Sequence, residues 1–196
     1  MSRRHSDTAL LDAARECVAT VGVRRTTVAD VARRAGASRM TVYRMFPDAK
    51  TLWSTLLTRE FDDVIREAEA ATAHLPTARA RLVAAAARAV ERIATDPVVR
   101  RVIELDPDLL VPYITERLGQ SQHIAIAQFR RYLDDGRADG SIRDVDPAVM
   151  AYVLQLVVGS VVLATRVTER ESDPSAVIAE LRHMIDACLA PRWGGA

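Results

Sequence analysis

Residues 39–44, with the sequence RMTVYR, hold the side chains whose chemistry is most specific in this chain. A guanidinium such as that of Arg39 can donate two parallel hydrogen bonds to N7 and O6 of guanine, and the methyl groups of Met40 and Thr41 suit the methyl group of thymine. Arg44 is long enough to reach either a base or a phosphate. These side chains could recognise a DNA sequence, provided that the chain presents them together on one exposed surface.

Two short helices joined by a tight turn are predicted to position these side chains. Thr27 is a suitable N-cap for the first helix, and Gly36 supplies the left-handed residue that ends it. Ser38 can cap the second helix, on which Val42 and Phe46 lie four residues apart and share one face. If that apolar face turns inward, the polar side chains near the start of the second helix face outward.

This pattern is typical of a helix–turn–helix, whose second helix enters the major groove with its N-terminal residues at base edges. The alternative is an ordinary helix pair, because caps and apolar residues at helical spacing are common. The charge distribution favours DNA: residues 1–50 hold ten Lys and Arg against five Asp and Glu, and the remainder holds 17 against 21. Phosphate neutralisation supplies most sequence-independent affinity, so contact with DNA is expected in the basic segment.

No group of residues has the spacing of a catalytic or metal site. The acidic residues around GRADGSIR, residues 136–143, lack the register and the closing Glu of a calcium loop. Cys17 and Cys188 are far apart on apolar helical faces, so we expect buried thiols rather than a disulfide or metal ligands. The histidines are scattered along the chain at His5, His74, His123 and His183. The sequence therefore predicts neither an enzyme nor a metal or cofactor.

Residues 9–57 resemble the DNA-binding domain of the tetracycline-repressor (TetR) family of bacterial transcription regulators. The matching stretches are ALLDAARECVATVG, TTVADVARRAGAS, MTVYRMF and, more loosely, DAKTLWSTLL. In that family a first helix packs behind the helix–turn–helix, and a fourth leads into a larger helical domain. The resemblance implies a DNA-binding domain of residues 1–50 and a ligand-binding and dimerisation domain of residues 51–196. Since no apolar signal segment follows the N-terminus, we expect a cytoplasmic protein.

The resemblance also implies roles for individual residues. By analogy with their family counterparts, Thr27 and Tyr43 bind phosphates, while the start of the second helix meets base edges. The family commonly has a phosphate-binding Lys at the position of Ala49; here Lys50 is the nearest candidate, although one residue along a helix rotates a side chain by about 100°. The expected DNA-binding residues are Thr27, Ser38, Arg39, Met40, Thr41, Tyr43, Arg44 and Lys50.

Helical periodicity and repeated Asp-Pro starts predict an all-α fold of about nine helices. Residues 148–165 contain no charge over 18 positions, which is the lower limit for a membrane span. The competing interpretations are a helix in the protein's own core and, favoured here, a helix packed against both its own domain and a partner chain. The TetR resemblance implies a four-helix dimer interface, so we expect a homodimer through residues 147–168 and 174–189, without a membrane.

A ligand site is the least specific prediction, because each candidate side chain could equally belong to the core. The set indicates an apolar pocket with few polar groups, hence a hydrophobic small molecule. Its members are Trp53, Phe61, Tyr113, His123, Phe129, Tyr152 and Gln155. The predicted function is a dimeric repressor released from a near-palindromic operator by such a ligand. The alternatives are a regulator of the same fold without an inducer, and a helical enzyme or carrier with an incidental N-terminal likeness.

Overall fold

The computed structural model describes residues 7–111, 116 and 118–191, and every regular element among them is a helix. The α-helices are α1 (Asp7–Val21), α2 (Val28–Ala35), α3 (Arg39–Met45), α4 (Ala49–Thr72), α5 (Ala78–Thr95), α6 (Pro97–Leu105), α7 (Gln120–Ala138), α8 (Pro147–Leu163), α9 (Thr165–Glu171) and α10 (Pro174–Leu189). One turn of 3-10 helix, Pro107–Leu109, follows α6. The predicted all-α fold is confirmed, with ten α-helices in these residues where about nine were expected.

The helices form two compact units. The first consists of Met1–Phe61 and Thr95–Leu118, and the second of Asp62–Ala94 and Gly119–Ala196. Helix α4 contributes residues to both units, and α6 belongs to the first although it follows α5, which belongs to the second. The predicted boundary after residue 50 separates a DNA-binding domain from a ligand-binding and dimerisation domain, whereas these two units are defined by packing. That functional boundary stays a prediction.

The core of the first unit is built from the apolar faces of α1, α2, α3, α6 and the start of α4. The members with no exposed surface are Leu10, Ala14, Val18, Val31, Val42, Leu52 and Val98. Burial of one such Leu or Val side chain stabilises a fold by about 1.5–3 kcal/mol relative to exposure. The apolar stripe of α1 therefore supports both the helix–turn–helix pair and α6.

The second unit has its own core, formed by α5, α7, α8, α10 and part of α4. Its residues without exposed surface include Ala78, Leu82, Leu133, Ala151 and Leu189. At the end of α7 the chain turns back closely, and the amide of Ile142 donates to the carbonyl of Gly136 at 2.9 Å. A Cβ on Gly136 would overlap the side chain of Ile142, so this close approach requires glycine.

The uncharged run of residues 148–165 was predicted as one helix, and the structure shows that the predicted interface segment of residues 147–168 contains parts of two. Helix α8 ends at Leu163, and α9 begins at Thr165 at an angle of 60°. At this junction the hydroxyl of Thr165 donates to the carbonyl of Val162 at 2.7 Å, in the last turn of α8. Among the described residues no single helix has the length and hydropathy of a membrane span, although α8 and α9 together pass by length and composition.

The two cysteines have different environments. Cys17 is buried in the core of the first unit as predicted, and burial raises the pKa of its thiol. Cys188 is exposed on α10, so the prediction of a buried thiol is wrong there. The Nε of Arg143 donates to the main-chain carbonyl of Cys188 at 2.6 Å. The spacing of the apolar residues correctly predicted that Cys188 lies on α10. It did not determine which face of that helix is buried.

Candidate DNA-binding surface

The start of α2 is held by a reciprocal capping box. The hydroxyl oxygen of Thr27 accepts from the amide of Asp30 at 3.2 Å, and the carboxylate of Asp30 accepts from the amide of Thr27 at 3.1 Å and from its hydroxyl at 2.6 Å. The hydroxyl and amide of Thr27, together with the guanidinium of Arg33, hold the pKa of Asp30 below its usual range. Thr27 is therefore fixed and exposed at a helix N-terminus, where free amides favour anions.

The turn after α2 has the geometry that the sequence predicts. Gly36 has a φ of 67° and a ψ of 27°, and its amide donates to carbonyls of the last turn of α2. The next amide, that of Ala37, reaches back to the carbonyl of Ala32 at 2.8 Å. A residue with a side chain is strained at such a φ, so glycine sets the angle between α2 and α3.

Helix α3 presents a polar face outward and an apolar face inward. The Oγ of Ser38 accepts from the amide of Thr41 at 3.1 Å and lies 2.9 Å from its hydroxyl, which confirms Ser38 as the cap. Val42 is fully buried and Phe46 is 6% exposed, whereas Met40 is 76% exposed. The other residues with exposed side chains on α3 are Arg39, Tyr43 and Arg44, while Thr41 is half-buried.

The cations near this surface fall into two groups. Those engaged in ion pairs with carboxylates of the same unit are Arg24, Arg33 and Arg34. Those with exposed side chains and no side-chain hydrogen bond or ion pair within the described residues are Arg25, Arg39, Arg44 and Lys50. Arg25 was not among the predicted DNA-binding residues, and its exposed position two residues before the cap Thr27 makes it a further candidate.

Helix α4 follows α3 directly in the sequence, and Asp48 is its N-cap. The amide of Thr51 donates to the carboxylate of Asp48 at 2.6 Å, and this amide, followed by the Thr51 hydroxyl, lowers the pKa of Asp48. Ala49 and Lys50 are both exposed in the first turn of α4. Lys50 therefore remains available to a phosphate, although one helical position away from the usual Lys.

Comparison with known proteins identifies the family. The family of bacterial regulatory proteins called the tetR family matches residues 10–52. An uncharacterized helix–turn–helix-type transcriptional regulator of Mycobacterium tuberculosis is 34% identical over 191 residues, which cover 96% of this chain and 98% of that protein. The chain belongs to the TetR family. It is therefore a DNA-binding transcription regulator and not an enzyme, as the sequence predicted.

Solved structures of transcriptional regulators share the fold. The TetR family repressor AlkX from Dietzia sp., implicated in biodegradation of n-alkanes, gives a TM-score of 0.70 at 20% identity, with 95% of this chain and 96% of that chain covered. The regulator FadR from Bacillus subtilis, in complex with stearoyl-CoA, gives 0.69 at 16% identity, with 94% and 100% covered. At these identities the likeness establishes the fold alone.

The residues predicted to line a ligand pocket lie in both units of this TetR-family chain. Trp53 and Phe61 belong to the first unit, where Trp53 packs against the core. In the second unit, Phe129 and Gln155 are buried. The exposed members of the set are His123 and Tyr152, and Tyr113 lies outside the described residues. Their role in ligand binding stays a prediction.

Helix α8 has two apolar faces with different environments. One face packs into the second unit and consists of Ala151, Leu154, Gln155 and Val158. The opposite face is exposed and is formed by Val149 (60%), Tyr152 (46%), Val153 (42%) and Leu156 (52%). We name Val149, Tyr152, Val153 and Leu156 the α8 stripe.

In the described part of the chain, no group of three or more His, Cys, Asp or Glu could hold a metal ion.

Proposed function

We propose that this TetR-family regulator is a homodimeric repressor that binds a near-palindromic operator and leaves it when an apolar small molecule binds. The observation that carries the proposal is the outward face of α3. Met40 is 76% exposed and Tyr43 is 47% exposed, while Val42 beneath them has no exposed surface. We expect the protein to act in the cytoplasm, where it has access to DNA.

The chemistry of the exposed side chains supports a division of labour. Arg39 and Met40 stand at the start of α3, the part of a recognition helix that meets base edges. The hydroxyl of Thr41 is close to Ser38, which leaves its methyl group for contact with thymine. Thr27 and Tyr43 would bind phosphates on either side and so place α3 in the groove.

Lys50 extends the same phosphate-binding surface. It is exposed in the first turn of α4, where main-chain amides near the helix N-terminus also favour an anion. Arg44, exposed near the end of α3, can reach a base or a phosphate. These groups would add sequence-independent affinity that falls as salt rises.

The α8 stripe supports dimerisation. Its residues follow one another at spacings of three, one and three, so they lie on one face of the helix. Four exposed apolar side chains on one face of a helix are typical of a surface that a partner covers. A second copy of this chain presents the same stripe, and two-fold symmetry would pair the stripes and place two α3 helices on one operator.

Selection of binding sites from random DNA tests the DNA part of the proposal. Bound sequences should converge on two half-sites related by a two-fold axis and about one helical turn apart, or a multiple of it. Titration of such a site at several salt concentrations should give an affinity that falls as salt rises. Convergence on a single unrepeated half-site would exclude the symmetric dimer.

An apolar inducer is supported by the chemistry of the predicted residues and by two proteins of the same fold. FadR was solved with stearoyl-CoA, and AlkX is implicated in n-alkane biodegradation. Release requires a ligand that binds the DNA-incompetent form more tightly, typically by about 1–3 kcal/mol. Thermal-shift screening of fatty acyl compounds, alkanes and aromatic metabolites, followed by titration of the bound operator, tests this step. Compounds that stabilise the protein without weakening operator binding would favour a regulator with no inducer.

A further inference from the structure

A buried carboxylate from the second half of the chain holds the loop that precedes the helix–turn–helix. Asp106 directly follows α6 and is 2% exposed. Its Oδ2 accepts from the main-chain amide of Val23 at 2.8 Å and from that of Arg24 at 3.4 Å. Its Oδ1 lies 3.7 Å from the Nε of Arg24. All of these residues belong to the first unit.

The loop of residues 22–26 is built closely around this carboxylate. Gly22 has a φ of 84°, and a Cβ placed on it would lie 2.9 Å from the Oδ2 of Asp106. The hydroxyl of Thr26 donates to the carbonyl of Gly22 at 2.6 Å, and its amide donates to the carbonyl of Val23 at 3.1 Å. The loop is thus one hydrogen-bonded segment that ends directly before the α2 cap, Thr27.

Helix α6 is itself fixed to α1 along its length. At its start, Asp96 caps the first turn with Oδ1, and its Oδ2 accepts from the Nη2 of Arg15 at 2.9 Å. Farther along, the Nε of Arg101 donates to the carbonyl of Ala19 at 3.2 Å. The main chain that carries Asp106 is therefore held in place against α1.

We propose that Asp106 is a positioning residue for DNA binding. It fixes the loop of residues 22–26, and through that loop it sets the place of Thr27 and of α2, against which α3 packs. Without this carboxylate, two buried or half-buried amides lose their acceptor, and such groups are costly to leave unpaired. The loop would then sample other conformations, and α3 would be presented less often in the DNA-binding arrangement. The inference rests on the proposed contacts of Thr27 and α3 with DNA.

The direction of the change in DNA affinity distinguishes a positioning role of Asp106 from a purely electrostatic one. Removal of any carboxylate raises the net charge by one, and electrostatics alone would then strengthen binding to DNA. A positioning role predicts the opposite, weaker binding. Asp108 is a matched control, because it ion-pairs with the exposed side chain of Arg24 but accepts no main-chain amide of the loop. Its own side chain is 57% exposed.

The experiment compares D106A with D108A on the operator selected by the wild-type protein, with fluorescence anisotropy at several salt concentrations. We expect D106A to lose about tenfold or more in affinity, with an unchanged salt dependence because no phosphate contact is removed. D108A should bind as tightly as the wild type or slightly more tightly. Equal affinities of D106A and D108A would overturn the inference and leave the proposed function intact.

If D106A fails to fold, a second variant and a second measurement still test the inference. D106N keeps the volume and one acceptor, so it should fold and show a smaller loss of affinity in the same direction, with D108N as its control. Hydrogen exchange should be faster at the amides of Val23 and Arg24 in D106N, and unchanged in D108N. Unchanged exchange and affinity in D106N would overturn the inference. Absence of specific DNA binding by the wild-type chain would overturn the proposed function, and this inference with it.

Discussion

Arg24 and Arg25 are adjacent in the sequence but have different surroundings. Arg24 ion-pairs with Asp106 and Asp108, whereas the exposed Arg25 has no ion pair or hydrogen bond within the part of the chain that the structure describes. Arg25 also stands two residues before Thr27, at the expected phosphate-binding helix start. The charge of Arg24 is therefore neutralised by carboxylates of the protein itself, and that of Arg25 is available to DNA.

This difference predicts unequal salt dependences. Arg25→Ala should reduce the slope of log affinity against log salt by about one phosphate contact, or about 0.9. Arg24→Ala should leave the slope nearly unchanged, because its charge is already neutralised by carboxylates. Anisotropy titrations over a range of salt concentrations measure both slopes. Equal changes in the two variants would show that the ion pairs of Arg24 open when DNA binds.

Base reading and phosphate binding on α3 are separable by mutation. Arg39→Ala should relax the preference at one base position of each half-site, where a bidentate contact discriminates by about 1–3 kcal/mol. Tyr43→Phe should weaken binding to every operator variant alike, since a phosphate contact carries no sequence information. A panel of singly mutated operators distinguishes the two patterns. The assignment fails if both variants show the same profile across the panel.

At the scale of helices, the capping box of α2 predicts a pH dependence. The pKa of Asp30 is lowered by the hydroxyl and amide of Thr27 and by Arg33. A carboxyl whose pKa falls on folding stabilises the fold above its unfolded pKa, and this stabilisation is lost as pH falls through the lower folded value. Asp30→Asn should therefore lower the melting temperature near neutral pH, and the difference from wild type should shrink in acid.

Thermal unfolding at several pH values from neutral to below the ordinary Asp range, about 3.9, measures this effect. Asp134→Asn, a change at an exposed position of α7, serves as the control and should melt like the wild type near neutral pH. A melting difference for Asp30→Asn that is independent of pH would assign the stabilisation to something other than the ionised carboxylate.

Elements specified by neighbouring residues were predictable from the sequence, and those specified by distant contacts were not. The caps Thr27 and Ser38 and the glycine Gly36 act within three or four residues, so their types and spacing determined α2, the turn and α3. The attachment of Asp106 to Val23 joins residues 83 positions apart, and no local pattern reports it. The break between α8 and α9 falls at Ala164, where the sequence has no Gly or Pro, so no local signal marks it.

At the scale of the whole molecule, the α8 stripe predicts that one charge can separate the subunits. Leu156→Glu places a carboxylate among exposed apolar residues and should give monomers by sedimentation, with loss of specific DNA binding. Val111→Glu changes an apolar residue of similar exposure, 47% against 52%, in the first unit and should leave the dimer intact. A Leu156→Glu protein that sediments as a dimer would place the interface elsewhere.

Gly159→Arg provides an independent test of the same interface. A Cβ on Gly159 would meet only the side-chain amide nitrogen of Gln155, at 3.1 Å, so the chain can accept a Cβ there if that amide shifts slightly. Since the glycine lies three residues beyond Leu156 on α8, an arginine at this position should obstruct a facing helix. We expect folded monomers, by circular dichroism together with sedimentation. A folded dimer would contradict the assignment of α8 to the interface.

In the proposed dimer, two copies of α3, joined through their second units, read one operator. The most direct measurement is the affinity for a selected operator whose half-sites are moved apart by about five base pairs, close to half a helical turn. The second half-site then faces the opposite side of the duplex. If a symmetric dimer must bind both half-sites at once, affinity should fall to that of a single half-site, with both half-sequences intact. An unchanged affinity for the respaced operator would contradict a symmetric dimer that binds both half-sites at once.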